Sequence, residues 1–171
     1  WHIEGPFDTS YSLAILNKNY ALAMDKLGQN VALFSTDGLG DYSPNPAFLK
    51  NNKIVSNLYK RAMKTQESFF ICSRNLYPPR VKDVKGVINL LHAYGWEESE
   101  IPYEFINNFN RYLDGISVMS AQVKKILLDC GFTKPIEVCS LGVDHLSLKE
   151  PLIDLNIKAK KFKFLHISSC F

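Results

Sequence analysis

The sequence lacks the motifs that mark several common classes of enzyme. It contains no Walker loop and no Gly-x-Ser-x-Gly segment, which excludes a P-loop nucleotide site and a serine-hydrolase nucleophile turn. A dinucleotide fingerprint needs three spaced glycines after the first strand, and only Gly5 is there. None of the four histidines has metal-type partners nearby in sequence: His2, His92, His145 and His166. We therefore expect neither a metal nor a cofactor.

The sequence also has a small net charge, no long apolar run and no closely spaced pair of cysteines. The net charge of the 171 residues is +3, too small to imply nucleic acid, and the one lysine cluster, Lys158 to Lys163, is typical of a solvated linker. No apolar run approaches the ~18 residues of a membrane span, and no signal peptide is recognised. Four cysteines lack Cys-x-x-Cys spacing and predict buried free thiols in a cytoplasmic protein: Cys72, Cys130, Cys139 and Cys170.

What the sequence does contain is a regular alternation of strands and helices. Apolar runs predict strands near residues 1–4, 31–35, 69–72, 87–92, 115–119 and 136–139. The first strand enters a helix through Gly5, with Asp8, Thr9 or Ser10 as its cap and an apolar stripe at Leu13, Leu16, Tyr20, Ala23, Met24 and Leu27. Ser120 caps a later helix. This order predicts a doubly wound, mainly parallel Rossmann-like α/β sheet with helices on both faces.

The end of the chain predicts a change of domain. Residues 1–147 are expected to form the Rossmann-like domain, residues 148–160 a linker, and residues 161–171 the first strand of a second domain. Because the chain lacks an initiator methionine and this last strand has no partner next to it in sequence, we expect the chain to be a piece of a longer protein.

Ligands of open α/β sheets lie beyond the carboxyl ends of the strands, so the loops there hold the candidate site residues. These loops are rich in types that bind sugars: Gly5, Pro6, Phe7, Arg74, Asn75, Tyr77, His92, Tyr94, Trp96, Glu97, Glu98, Gly142 and Asp144. Structural alternatives stay open. His92 is as well explained as a satisfied structural histidine, Trp96 as a core or lid residue, and Arg74 as a surface charge.

Four segments together resemble one family. They are 4–14 with its Glu-Gly-Pro-Phe opening, 74–80 (Arg-Asn-Leu-Tyr-Pro-Pro-Arg), 96–102 with its Trp-Glu-Glu-Ser start, and 141–144 (Leu-Gly-Val-Asp). In this order they resemble the N-terminal half of retaining glycosyltransferases of family 4, which have the GT-B fold. Residues 162–169 are similar to the first strand of that family's donor-binding domain.

The resemblance implies an enzyme that transfers a sugar from a nucleotide diphosphate sugar to a carbohydrate or lipid-linked acceptor, with retention and without a metal. It implies that His92 is a catalytic contact to the transferred sugar and that Gly5, Pro6 and Phe7 form the donor diphosphate loop. The acceptor cleft would be lined by Tyr11, Arg74, Asn75, Trp96, Glu97 and Asp144. A cytoplasmic location is implied, compatible with peripheral contact at the inner face of a membrane.

Two other classes of function remain open from the residues alone. A non-catalytic α/β module for protein contact would present a flat surface over the strand ends instead of a cleft. A nucleotide-binding module would bind nucleotide without a second domain.

Overall fold

A computed structural model describes residues 1–64 and 69–142. It has thirteen elements in this part of the chain, in the order β1 (His2–Glu4), α1 (Ser12–Lys26), β2 (Ala32–Phe34), β3 (Thr36–Asp37), β4 (Gly40–Asp41), α2 (Pro46–Asn51), α3 (Lys53–Lys64), β5 (Phe69–Arg74), β6 (Gly86–Tyr94), α4 (Tyr103–Tyr112), β7 (Gly115–Val118), α5 (Ala121–Asp129) and β8 (Ile136–Val138).

The main sheet has six parallel strands in the order β2-β1-β5-β6-β7-β8. The chain passes from β1 to β2 on one side and then to β5 on the other side of β1. The strand order therefore reverses between β1 and β5, and the crevice above their carboxyl ends is the expected ligand position in such a sheet. The predicted doubly wound α/β class is confirmed.

Helices cover both faces of the sheet, each over its own core. One face carries Ile3 and Leu33, which pack with buried residues of α1 and α3. The opposite face carries Leu91, Ile116 and Ile136, which lie in register and pack with α4 and α5. Because successive strand residues point to opposite faces and helices cover both faces, the strands consist largely of apolar residues in continuous runs.

Helix α1 differs from its predicted form at its start and on its buried face. Its N-cap is Tyr11, and no side chain caps it. Its fully buried residues are Ala14, Asn17 and Ala21, whereas Leu27 of the predicted stripe is 73% exposed. The cap prediction and part of the stripe are wrong, because the helix turns two small side chains and an asparagine toward the sheet.

The polar, glycine-containing stretch 36–45 follows no strand pattern in the sequence, yet it contains the antiparallel hairpin of β3 and β4. Strand β5 continues through Ser73 and Arg74, beyond the predicted strand end near residue 72, because both residues pair with β1 and β6. Ser120 caps α5 as predicted, with its Oγ accepting a hydrogen bond from the Val123 N–H at 3.2 Å.

Cys72 is buried, Cys130 is partly buried and Cys139 is exposed, so the expectation of buried thiols is wrong for Cys139. Several predictions lie outside the described residues: Asp144, Cys170, the lysine cluster, the predicted linker at 148–160 and the predicted strand at 161–171. Among the helices that the structure describes, none combines the length and apolarity required to cross a bilayer.

Candidate functional site

An open cleft of about 420 Å³ lies over the point where the strand order reverses. Three segments form its wall: the β1–α1 loop, the β3–β4 hairpin with the residue that follows it, and the β5–β6 loop. The lining residues are Pro6, Asp8, Thr9, Tyr11, Asp37, Tyr42 and Tyr77. Pro6, Tyr11 and Tyr77 were among the sequence candidates.

The acidic and phenolic groups of the cleft are tied together by hydrogen bonds. Tyr42 Oη donates to Asp8 Oδ1 at 3.0 Å, and the other oxygen of Asp8 accepts the Asn45 N–H at 2.7 Å. Burial, and next the neighbouring Asp8 carboxylate, raise the pKa of Tyr42 well above its usual range. Tyr42 therefore stays protonated at neutral pH. The charged side chains that line the cleft are those of Asp8 and Asp37.

A fully buried asparagine joins the strand ends beneath the cleft. Asn17 Nδ2 donates to the carbonyl oxygens of Pro6 and Asn75, each at 2.9 Å. Its Oδ1 lies 2.8 Å from His92 Nε2. Since the amide nitrogen already serves two carbonyls, Oδ1 must accept the proton of His92 Nε2. This single side chain links the loops after β1 and β5 to β6.

His92 is enclosed and does not reach the cleft. It is 3% exposed, and its ring stacks on Tyr20 with 4.6 Å between ring centroids. Its second nitrogen, Nδ1, is buried with no hydrogen-bond partner among the described residues. Burial lowers the pKa of His92 to about 3, so the ring is neutral at pH 7.

The buried neutral form of His92 makes stability depend on pH. The unfolded chain takes up this proton near pH 6.5 and the folded chain only near pH 3, so stability is full above 6.5 and falls as the pH decreases toward 3. We expect a loss of about 2 kcal/mol between pH 7 and pH 5. Urea unfolding at both pH values measures it. The His92→Gln variant should lose less over the same interval, and an equal loss in both proteins would contradict this assignment.

Arg74 is buried within an ion-pair network on the other face of the sheet. Its Nε and Nη2 lie 2.7 and 2.5 Å from Glu4 Oε2, and its Nη1 lies 2.7 Å from Asp83 Oδ1. Asp83 also pairs with Arg80, whose Nη2 donates to Thr36 Oγ1 at 2.6 Å. Arg74 is 3% exposed. The guanidinium thus holds β1 and the β5–β6 loop together and does not face the cleft.

Burial by itself would raise the pKa of Glu4, but the hydrogen bond from His2 and the Arg74 charge outweigh it and lower this pKa to about 2. Burial would also lower the pKa of Arg74, and the Glu4 carboxylate overcomes that effect and raises it. The pair is therefore ionised throughout the neutral range.

The loop expected to bind a diphosphate has its donors already engaged. The Gly5 N–H donates to the Phe34 carbonyl at 3.1 Å, Pro6 has no N–H, and the Phe7 N–H lies 3.4 Å from Tyr42 Oη. The Phe7 side chain is fully buried in the core. A Cβ on Gly5 would lie 2.2 Å from Asn17 Nδ2 and 2.4 Å from the Asn75 carbonyl oxygen, so Gly5 permits the close approach of Asn17.

The remaining candidates lie apart from the cleft. Asn75 is buried, and its Nδ2 donates to the Ala93 carbonyl at 3.2 Å. Trp96 packs against the α4–α5 core, where Nε1 donates to the Glu100 carbonyl at 2.9 Å. Glu97 is exposed and does not line the cleft.

Five residues of this region were missed as site residues in the sequence: Asn17, Asp37 and Tyr42 were not singled out, and Asp8 and Thr9 were predicted only as possible helix caps. Asn17 could have been found as a polar residue within the amphipathic pattern of α1. Asp37 and Tyr42 follow β2, which is next to β1 in the sheet, and this adjacency was not visible in the sequence.

Neither the protein-family models, nor the curated proteins, nor the solved structures that were compared with this chain match it.

Proposed function

We propose that this domain is the acceptor-binding half of a retaining glycosyltransferase and that the cleft above β1 and β5 binds a carbohydrate acceptor. The resemblance supplies the reaction class, in which a nucleotide diphosphate sugar donates the sugar. The observation that supports an acceptor site is the composition of the cleft, which combines tyrosine rings with carboxylates at the point where the strand order reverses.

Tyrosine rings and carboxylates suit a sugar for two reasons. The rings of Tyr11 and Tyr77 are 52% and 63% exposed, so their faces are available to the apolar C–H face of a pyranose. The cleft is also lined by the Asp8 and Asp37 carboxylates and by the Tyr42 phenol. Their oxygens can accept hydrogen bonds that the hydroxyl groups of a sugar donate.

The charge of the cleft favours a neutral or amino sugar over an anion. Its charged lining residues are Asp8 and Asp37, and both repel a diphosphate or a uronate. The nucleotide diphosphate would therefore be held mainly by a second domain, as the resemblance implies. His92 would act on the cleft through Asn17 and Pro6, as a positioning residue and not as a contact to the sugar.

The test is a titration of the isotopically labelled chain with neutral saccharides, followed by NMR. We expect chemical-shift changes confined to the cleft residues, with dissociation constants of about 1 mM. The Tyr77→Ala variant should weaken binding about fivefold, because it removes a ring platform worth roughly 1 kcal/mol. Tyr103→Ala is the matched control, since Tyr103 is exposed at the start of α4 and outside the cleft. Equal weakening by both variants, or shift changes elsewhere, would contradict an acceptor site here.

A nucleotide-binding module is the second candidate, and one observation favours it. Helix α1 begins beside the cleft, and no side chain caps its N-terminus. The positive end of the helix dipole would therefore attract an anion such as a phosphate. Titration with UDP and GDP separates the two functions. A dissociation constant tighter than about 10 μM for the chain alone would support the nucleotide module and reject the acceptor site.

A further inference from the structure

Three possible metal ligands lie together in the sheet, on the face opposite α1 and away from the proposed acceptor cleft. His2 and Cys72 are direct register partners on β1 and β5, and Glu4 follows on the same face of β1. His2 Nδ1 lies 3.2 Å from Glu4 Oε1 and 3.9 Å from Cys72 Sγ. The three ligand atoms all lie within 4.8 Å of one another, and all three residues are buried.

The separations of His2 Nδ1 from Glu4 Oε1 and from Cys72 Sγ, 3.2 and 3.9 Å, are close to those of a tetrahedral zinc site. Zinc–nitrogen, zinc–oxygen and zinc–sulfur bonds of about 2.0–2.3 Å place neighbouring ligand atoms roughly 3.3–3.8 Å apart. The ligands need only small side-chain adjustments to reach that arrangement, because two rigid strands already hold their backbones. The His2 ring is also fixed by stacking on Phe69, with 3.8 Å between ring centroids.

We propose that His2, Glu4 and Cys72 bind a zinc-class divalent cation that joins β1 to β5. One thiolate, one imidazole and one carboxylate suit Zn²⁺ or Co²⁺ and not Mg²⁺ or Ca²⁺, which take oxygen ligands. The proposal is independent of the proposed acceptor site. It replaces the expectation that the histidines lack metal partners, since Cys72 is 70 residues from His2 in sequence.

The two oxygens of Glu4 have separate partners, which leaves one for the ion. Oε2 accepts both hydrogen bonds from Arg74, whereas Oε1 faces His2. Arg74 and Arg80 share Asp83, and Arg80 has Asp41 as a second partner, so these two carboxylates match the two guanidiniums without Glu4. Glu4 and a Cys72 thiolate then carry two negative charges, equal to the charge of the cation. As the ion binds, the thiol proton of Cys72 passes to solvent, and His2 gives up the Nδ1 proton that it donates to Glu4 and keeps its ring proton on Nε2.

Cobalt is the spectroscopic probe for this site. The chelator-treated chain, with Cys130, Cys139 and Cys170 replaced by serine, is titrated with Co²⁺. We expect one ion per chain and a thiolate-to-cobalt charge-transfer band, which Zn²⁺ then displaces. Zn²⁺ should also raise the thermal unfolding midpoint, because only the folded chain has the site assembled.

Cys72→Ala in the same background should abolish the charge-transfer band. It should weaken Zn²⁺ binding by at least about 100-fold, because losing a ligand costs more than losing a residue that only hydrogen-bonds to a ligand. Asp129→Asn should leave the band in place, because Asp129 is exposed at the end of α5 and pairs with Lys125, away from the three ligands. A folded chain without the band, or a band that survives Cys72→Ala, overturns the proposal.

X-ray absorption of the zinc-loaded original chain decides the matter if Cys72→Ala does not fold. One sulfur ligand with nitrogen and oxygen ligands is expected. A shell of nitrogen and oxygen alone, or of several sulfurs, overturns the site.

Discussion

Replacing Asn17 with alanine is expected to lower the free energy of unfolding by about 3–5 kcal/mol, because three buried polar groups lose their partner at once. The carbonyls of Pro6 and Asn75 lose a donor, and His92 Nε2 loses its acceptor. Asn17 is fully buried, so water cannot replace it without rearrangement of the strand ends. Urea unfolding at pH 7 measures the change.

Asn19→Ala is the matched control, since Asn19 lies in the same helix and is exposed. It should change stability by no more than about 0.5 kcal/mol. Asn17→Asp should be at least as harmful as Asn17→Ala, because a carboxylate oxygen would then face two carbonyl oxygens. Similar small effects of Asn17→Ala and Asn19→Ala would show that Asn17 does not join the strand ends.

The fold class could be predicted because it depends on local patterns. Apolar runs located β6, β7 and β8 to within a few residues, and Ser120 marked the start of α5. The pattern was less reliable where strands end. Ser73 and Arg74 have polar side chains typical of a loop, yet they remain in β5 because β1 and β6 pair with them on both sides.

The contacts of the site could not be predicted, because they join distant parts of the chain. Asn17 and His92 are 75 residues apart, and Glu4 and Arg74 are 70 apart. The sequence places Arg74 and His92 near strand ends but does not show which face of the sheet each side chain takes. Arg74 points to one face with Glu4 and His92 to the other with Asn17, so neither side chain is directed into the cleft.

The ion pair between Glu4 and Arg74 carries the other large expected effect. Arg74→Met should lower the free energy of unfolding by about 3–5 kcal/mol at pH 7, because it leaves the Glu4 carboxylate buried without a counter-charge. Arg111→Met is the control, since Arg111 is exposed and its guanidinium lies over the Tyr112 ring, 5.4 Å from the centroid. That substitution should cost no more than about 1 kcal/mol.

The pH dependence of the unfolding free energy shows whether Arg74→Met destabilises the protein by removing the counter-charge of Glu4 or by removing packing contacts. In the original chain the pKa of Glu4 is lowered to about 2, so its contribution is present above pH 4.5 and lost only as the pH falls toward 2. In Arg74→Met the pKa of Glu4 should rise, because burial then acts without the opposing charge. The difference in unfolding free energy between the original chain and Arg74→Met should therefore become smaller as the pH is lowered from 7 to 4.

The double variant Glu4→Gln/Arg74→Met should recover part of the loss at pH 7, since no uncompensated carboxylate remains at position 4. A difference that stays constant with pH, together with additive losses in the double variant, would mean that Arg74 stabilises the sheet by packing alone.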